Sequence, residues 1–273
     1  MLVFRRGVAA VAVLLSALTI SSPASAGIGD LLVAPQRIVL NGSRGTELIL
    51  TNVGEDVATY RISLEVKRML PDGSLEEVTE PSAGESSARD MILYAPRRIT
   101  LPPDQPQSIR VVARAPKGLP DGEYRVHMLF RAVPPPRPAA PAAGEVKGIA
   151  FEIRPIYGVA IPVIVRLGNL QAKAGIANVQ LTSEKGKPAV ALDLSREGSR
   201  STFGEIRVLK DGIAEPIALQ RGVAVYTELG QRKVVVPLDD RFAAQAKGPV
   251  TVQYVEPTEA GPQMLAETRT VLR

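Results

Sequence analysis

Short runs of alternating apolar and polar residues, separated by turn residues, recur along most of the chain. Clear examples are residues 58–66 (ATYRISLEV) and 122–133 (GEYRVHMLFRAV), and the longest strand-like run covers residues 149–166 (IAFEIRPIYGVAIPVIVR). A period of two predicts β-strands with one buried face. Turn signals recur about every 10–15 residues, which favours antiparallel sandwiches over a parallel sheet with helices. We therefore predict an all-β fold.

The length of 273 residues allows two such domains. Residues 134–148 (PPPRPAAPAAGEVKG) are rich in proline and alanine and lack an apolar period, which is typical of a linker or a loop. We predict a mobile loop within the first domain, because the first sheet would otherwise lose the strand-like run that follows. The boundary is predicted near residues 167–175 (LGNLQAKAG). This gives a first domain of residues 27–167 and a second β-sandwich domain of residues 168–273.

Three other segments are predicted from their local composition. Residues 71–90 hold six acidic residues and one arginine without a helical period, and they predict a long solvated loop or hairpin. Residues 42–47 (GSRGTE) are typical of a hairpin turn. In the second domain, only residues 239–248 (DDRFAAQAKG) are predicted to hold a helical turn.

The first 26 residues predict a cleaved export signal. Arg5 and Arg6 form a positive start, residues 7–20 are apolar, and residues 24–26 (ASA) provide a small-residue cleavage site. The apolar stretch is shorter than the roughly 20 residues that span a bilayer, which argues against a membrane anchor. Cleavage would remove two arginines and lower the formal net charge from +5 to +3. We expect an exported protein with no membrane span after signal cleavage.

The rarity of metal ligands and nucleophiles excludes many kinds of enzyme. The chain has no cysteine, which excludes disulfides, thiolate zinc sites and a cysteine nucleophile. Its one histidine, His127, lies within an alternating run, where a structural role is the more common one. Asp193 and the pair Asp239-Asp240 lack calcium-loop spacing, no familiar catalytic or phosphate-binding motif occurs, and basic residues are scattered. We predict no enzyme activity, no cofactor, no metal and no nucleic-acid partner.

Three segments of the first domain resemble the periplasmic pilus chaperones, the PapD-like family. Residues 35–52 (PQRIVLNGSRGTELILTN) resemble that family's first strand, glycine-containing turn and second strand. Residues 95–116 resemble its run P-x-x-x-x-L-x-P-x-x-x-Q-x-x-R, and residues 119–136 its sixth strand, which ends in a Pro-Pro turn. The second domain matches only in position, length and all-β character. The resemblance implies two immunoglobulin-like β-sandwich domains arranged as a boomerang, a periplasmic location and a role as a chaperone without catalysis.

The resemblance also implies that the last strand of the first domain is lent to an incomplete pilus subunit. Such a subunit lacks one strand, so that an apolar groove and an unpaired sheet edge remain open. Ile149, Phe151 and Ile153 present apolar side chains at alternate positions, as a donated strand requires. Burying each of them would contribute about 1.5–3 kcal/mol. The same alternation also fits a strand that packs only into its own sandwich, so that both interpretations stay open.

A carboxylate anchor is a further implication of the resemblance. The family holds the subunit's C-terminal carboxylate with an arginine of the first strand and a lysine of the last. Arg37 matches the first position, and its planar guanidinium suits a carboxylate. Residues 155–163 contain no lysine, and Tyr157 stands at one alignment position, so Arg154 or backbone N–H groups are the candidates to replace it. The expected partners are secreted pilus subunits, with an outer-membrane usher as a further candidate. The alternative is an exported immunoglobulin-like structural or binding module of the cell envelope without chaperone activity.

Overall fold

The computed structural model describes residues 30–42, 44–134 and 156–273. The predicted signal and almost all of the predicted Pro/Ala loop lie outside these ranges. Within them, the predicted fold class is confirmed: the strands form two β-sandwiches in tandem, each made of two packed sheets. None of the helices in the described ranges has the length and apolar character needed to cross a membrane.

The N-terminal sandwich contains eleven strands and one helix in the described residues. In chain order these are β1 (Leu31–Ala34), β2 (Ile38–Asn41), β3 (Thr46–Asn52), β4 (Ala58–Glu65), β5 (Lys67–Met69), β6 (Leu75–Glu77), α1 (Ala83–Asp90), β7 (Ile92–Ala95), β8 (Arg98–Leu101), β9 (Pro106–Ala113), β10 (Gly122–Val133) and β11 (Gly158–Leu167). A four-stranded sheet β1-β3-β9-β7 packs on a five-stranded sheet β2-β11-β10-β4-β8, and β5 and β6 form a separate hairpin. The apolar side chains of the alternating runs fill the core between the two main sheets.

The start of the chain contributes to both sheets of this sandwich. β1 pairs antiparallel with β3, whereas β2 pairs parallel with β11, with Ile38 opposite Val163. The turn that follows at Gly42, where φ is 76°, joins β2 to β3 in the opposite sheet. The prediction of a hairpin turn at residues 42–47 is therefore wrong, because alternation alone does not tell which sheet a strand joins.

The prediction of a loop or hairpin at residues 71–90 is confirmed only in part. The first part is a true hairpin in which Met69 of β5 pairs with Leu75 of β6. The second part is the helix α1, which the prediction of a solvated loop missed. Its N-terminus is a capping box, in which the Ser82 hydroxyl accepts from the Glu85 N–H and the Glu85 carboxylate accepts from the Ser82 N–H. This motif, rather than an apolar period, was the available signal.

The C-terminal sandwich has a three-stranded and a four-stranded sheet. Its strands are β12 (Ala172–Glu184), β13 (Lys187–Gly198), β14 (Thr202–Leu209), β15 (Ala218–Val225), β16 (Gln231–Pro237), β17 (Gly248–Thr258) and β18 (Gly261–Leu272). The sheet orders are β12-β13-β16 and β15-β14-β17-β18. The predicted helical turn is confirmed as a 3-10 helix over Asp240–Gln245.

The β5–β6 hairpin extends from the first sandwich onto the second. The backbone N–H of Lys233 in β16 donates to the carbonyl of Pro71 at the hairpin tip over 2.8 Å. At Gly73, where φ is 87°, an added Cβ would overlap the guanidinium of Arg232. Arg232 in turn donates to the carbonyl of Ala224 over 2.8 Å. The hairpin therefore ties the two sandwiches together.

Candidate functional site

One face of the five-stranded sheet points away from its own core, and we call it the cleft face. On β10 it carries Glu123, Arg125, His127, Leu129 and Arg131, which lie opposite Arg166, Ile164, Pro162, Ala160 and Gly158 of β11. The C-terminal sandwich covers one half of this face, where Ile164 packs in an apolar cluster with Met69, Ala224 and Tyr226. The other half, around Arg131 and Gly158, is exposed. The candidate site lies in the covered half, where the two sandwiches meet.

Arg37 reaches the covered half from the residue just before β2. Its Nη2 donates to the hydroxyl of Ser201 over 3.3 Å. Its Cζ lies 4.5 Å from the ring centroid of Phe203 and 6.0 Å from that of Tyr226, both in the C-terminal sandwich. Burial lowers the pKa of Arg37, while the nearby Tyr226 and Glu123 oppose that shift. An arginine nevertheless keeps its charge in proteins, so this is a cation packed between the sandwiches.

The guanidinium of Arg37 has hydrogen-bonding capacity to spare. Its Nη1 is buried and has no partner among the described residues. A buried donor without a partner costs about 1–3 kcal/mol relative to one that is satisfied. A carboxylate that accepted from Nη1 would remove this cost and neutralise the charge.

Glu123 connects the two sandwiches beside Arg37. Its Oε2 accepts from the Nε of Arg166 over 3.0 Å and from the backbone N–H of Ser201 over 3.1 Å. The side chain is only 1% exposed, so that the ion pair with Arg166 is weakly screened. Arg166 is thereby held by a carboxylate of its own chain, whereas Arg37 is not in contact with one among the described residues.

Arg125 forms a second connection. Its Nη2 donates to the Oε1 of Glu228 and to the carbonyl of Lys67, each over 2.7 Å, and its Cζ lies 3.5 Å from the ring centroid of Tyr226. Glu228 also accepts from the backbone N–H of Met69 over 2.7 Å. Glu228 of the second sandwich therefore binds both Arg125 of the cleft face and Met69 of the β5–β6 hairpin.

His127 lies within this interface, and in the described part of the chain it has none of the partners of a catalytic histidine. It is 1% exposed, and neither ring nitrogen has a hydrogen-bond partner among the described residues. Tyr226 meets its ring edge-on, with centroids 6.3 Å apart. Burial, with the positive charges of Arg125, Lys67 and Arg37, lowers the pKa of His127 to about 3. Among the residues that the structure describes, no carboxylate orients this ring as a Ser-His-Asp centre requires.

The structure brings some of the predicted site residues to this junction and leaves others apart. Arg37 lies in it. Tyr157 lies just before β11, where its carbonyl accepts from the N–H of Ala132. Arg37 lies beside a later part of the same strand, because Ile38, the residue after it, pairs with Val163. Ile149, Phe151, Ile153 and Arg154 lie outside the described residues.

Sequence reasoning missed two arginines of the cleft face, Arg125 and Arg166. Both lie at alternate positions on strands that were correctly predicted, β10 and β11. Successive side chains of a strand point to opposite faces, so that Arg166, the neighbour of the buried Val165, could have been placed on the outer face. The position of the second sandwich, which gives these residues their partners, had no signal in the sequence.

The outer edge of β11 is only partly occupied. β2 pairs with β11 from Val163 to Arg166, whereas residues 158–162 have β10 on one side and no strand on the other among the described residues. An unpaired edge exposes backbone N–H and C=O groups that another strand can bind.

The aspartates of the second domain do not come together. Asp239 accepts from Arg241, Asp240 pairs with Lys187 over 3.2 Å, and Asp193 accepts from Asn178. No group of three or more potential metal ligands occurs in the part of the chain that the structure describes.

Comparisons with known proteins found similar chains among solved structures, but no family model and no curated relative. The CupB2 chaperone of Pseudomonas aeruginosa is similar with a TM-score of 0.44 and 13% identity, over 89% of this chain and 100% of that one. The DraB chaperone of E. coli has a TM-score of 0.44 and 15% identity, over 91% and 98%.

A third solved structure is the SafA pilin of Salmonella enterica in complex with the SafB chaperone. It has a TM-score of 0.45 and 14% identity, over 90% of this chain and 98% of that one. Each of these three structures contains a chaperone. At these identities and scores the likeness concerns the fold alone.

Proposed function

We propose that this chain is a periplasmic chaperone that captures secreted pilus-type subunits by donating a β-strand and delivers them for surface assembly. The observation that carries the proposal is the outer edge of β11 over residues 158–162, which no strand of the described residues pairs with. A subunit that lacks one strand has an unpaired edge of its own, and two such edges satisfy each other's backbone groups.

The apolar residues of the predicted donor strand precede this edge in the chain. Ile149, Phe151 and Ile153 continue the odd-numbered apolar positions of Val159 and Ile161, of which Ile161 is buried in the core. A strand that ran through both stretches would present one apolar side to its own core and, further out, to the groove of the subunit. Donation would thus extend the core of the chaperone into that of its client.

Arg37 is the proposed anchor for the C-terminal carboxylate of the subunit. Its buried and unpartnered Nη1 favours a carboxylate, and its planar guanidinium permits two parallel hydrogen bonds. Arg166 does not take the place of the family's lysine, because Glu123 already neutralises it. Arg37 would therefore hold the carboxylate together with backbone N–H groups or Arg154.

The proposal is tested by co-expressing residues 27–273 with candidate secreted pilus subunits in a bacterial periplasm and identifying the proteins that co-purify. Phe151→Glu should abolish capture, since a carboxylate cannot enter an apolar groove without a large desolvation cost. Ala150→Glu is the matched control, because it adds the same charge on the opposite side of the strand and should leave capture intact.

Two results would contradict the proposal. One is capture that Phe151→Glu and Ala150→Glu impair equally. The other is the absence of any captured subunit while the protein is folded in the periplasm, which would favour the envelope module without chaperone activity.

A further inference from the structure

Three arginines of neighbouring strands lie side by side on the uncovered half of the cleft face. Arg131 of β10 is directly opposite Arg61 of β4, and Arg61 is directly opposite Arg98 of β8. Directly opposite residues of an antiparallel pair point to the same face, with Cβ atoms about 4.5–5.5 Å apart. All three side chains are exposed. We call Arg98, Arg61 and Arg131 the arginine row.

The arginine row is electrostatically unfavourable in the free protein. Like charges directly opposite each other destabilise a sheet, and here the charge is repeated over three strands. Among the described residues, neither Arg61 nor Arg98 forms a salt bridge. The Nη2 of Arg131 lies 3.9 Å from the Oε1 of Glu65, which is a long ion pair. The row therefore carries positive charge that its own described surroundings do not neutralise.

A cavity of about 540 Å³ adjoins the row, at the point where β8 diverges from β4. Arg61 and Arg97 border it, together with the ion pair of Arg89 and Asp90 (3.2 Å). Ser63 adds a hydroxyl group, whereas the Tyr94 hydroxyl donates to the carbonyl of Ile62. Arg97 lies with its Cζ 5.4 Å from the ring centroid of Tyr94, which leaves the guanidinium edge available. Donors of this kind, with a planar fork, suit carboxylates.

The position of the row favours a polypeptide over a flat anionic surface. The C-terminal sandwich packs on the other half of the same face, so that a folded domain stands on the sheet beside the row. A flat bilayer meets a surface next to such a domain less readily than a flexible chain does. The open edge of β11 begins at Gly158, next to Arg131, so that a polypeptide bound at that edge would lie beside the row.

We propose that the arginine row binds a carboxylate-rich segment of a partner polypeptide. Its assignment to the captured subunit rests on the proposed function, whereas the binding of acidic polypeptide does not. The subunits that this chain serves would then carry aspartates or glutamates on the surface that faces the chaperone.

The test uses synthetic peptides as probes, because the natural partner is not identified. Three fluorescein-labelled peptides alternate threonine with glutamate, glutamine or lysine, and their binding to the mature chain is followed by fluorescence anisotropy at about 50 mM salt. The glutamate peptide should bind about tenfold or more tightly than the glutamine peptide, and the lysine peptide should not bind. Raising the salt to about 200 mM should weaken the preference.

Matched variants locate the binding. The double substitution Arg61→Gln with Arg98→Gln should lower the affinity for the glutamate peptide by about tenfold. The control, Arg110→Gln with Arg269→Gln, removes the same charge from exposed arginines outside the row and should change affinity less than about twofold. Thermal unfolding of both variants verifies that each is folded.

Four results would overturn the proposal. The first two are equal affinity for the glutamate and glutamine peptides and equal losses of affinity in the two double variants. The others are a Kd above about 1 mM for the glutamate peptide and binding to phosphatidylglycerol vesicles with the same dependence on Arg61 and Arg98. The last would identify a membrane surface instead. Loss of peptide preference with retained capture of subunits would remove this inference and leave the proposed function intact.

Discussion

The guanidinium of Arg37 lies 4.5 Å from the ring centroid of Phe203, so that a cation of the first sandwich packs on an aromatic ring of the second. The same cation has a buried Nη1 without a partner among the described residues. The contact therefore holds the arginine in place without using all of its donors. This combination distinguishes Arg37 from Arg125 and Arg166, each of which binds a carboxylate of the chain itself.

Substitution of Arg37 should weaken the capture of subunits. Arg37→Ala removes charge-assisted hydrogen bonds worth about 1.5–3 kcal/mol, which corresponds to at least about tenfold in affinity. Arg37→Lys keeps the charge but not the planar fork, and should recover only part of the loss. Affinity is measured with a purified subunit, and Arg269→Ala is the exposed control. A variant that binds within about twofold of the parent would remove Arg37 from the anchor.

The pH dependence of stability should depend on His127, the sole histidine of the chain. Its pKa is lowered to about 3 in the folded protein, while the unfolded chain binds a proton near the ordinary value of 6.5. Between these values the unfolded state binds the additional proton, so that stability falls as the pH falls. The slope from this group approaches about 1.4 kcal/mol per pH unit well inside the window.

His127→Phe should remove that contribution, because it keeps a planar ring in a site where the described residues offer the imidazole no hydrogen-bond partner. The free energy of unfolding is measured in urea at several pH values between the two pKa values. The parent should lose stability more steeply than the variant on acidification, and the two should converge in slope above the ordinary pKa. Parallel curves throughout the window would show that the ring is protonated equally in both states.

The contact between Gly73 and Arg232 should be sensitive to a single methyl group. Gly73→Ala and Gly42→Ala both place a Cβ at a positive φ, 87° and 76°, which costs about 1–2 kcal/mol in each. Only the first also overlaps the Arg232 guanidinium, since nothing lies within 4 Å at Gly42. Gly73→Ala should therefore lower the thermal midpoint further, by the equivalent of up to about 1 kcal/mol, since the flexible Arg232 side chain can move away at the expense of its hydrogen bond to the Ala224 carbonyl. Calorimetry gives the comparison, and equal midpoints would mean that the hairpin tip moves freely.

Removing one charge from the arginine row should stabilise the free protein. Arg61→Gln relieves repulsion with both Arg98 and Arg131 and should raise the free energy of unfolding by about 0.2–1 kcal/mol. Arg110→Gln is the opposite case, because Arg110 pairs with Glu47 over 3.2 Å, and it should have no effect or a small cost. Urea titrations of both variants decide. A loss of stability in Arg61→Gln would show that the three charges do not repel one another in this protein.

The sequence predicted much of the strand content, because each half-buried strand has its own alternation. The run at residues 122–133 is β10, and Arg37 reaches the junction on the segment that the resemblance indicated. The helix α1 was missed because its eight residues are mostly polar, so that the capping box at Ser82 was the one local feature that indicated it. The roles of Glu123 and Glu228 had no local signal, because each binds a residue far away in the chain. Glu123 accepts from Ser201 of the second sandwich, and Glu228 accepts from Met69 of the β5–β6 hairpin.

The parallel pairing of β2 with β11 has a consequence for the length of any added strand. β2 occupies the edge from Val163 onward, and Arg37 stands at the residue just before β2 begins. A strand that enters along residues 158–162 must therefore stop where β2 starts, with its last residue close to that arginine. The start of β2 would therefore fix the register of the added strand. A strand shifted by one residue would point every side chain to the wrong face.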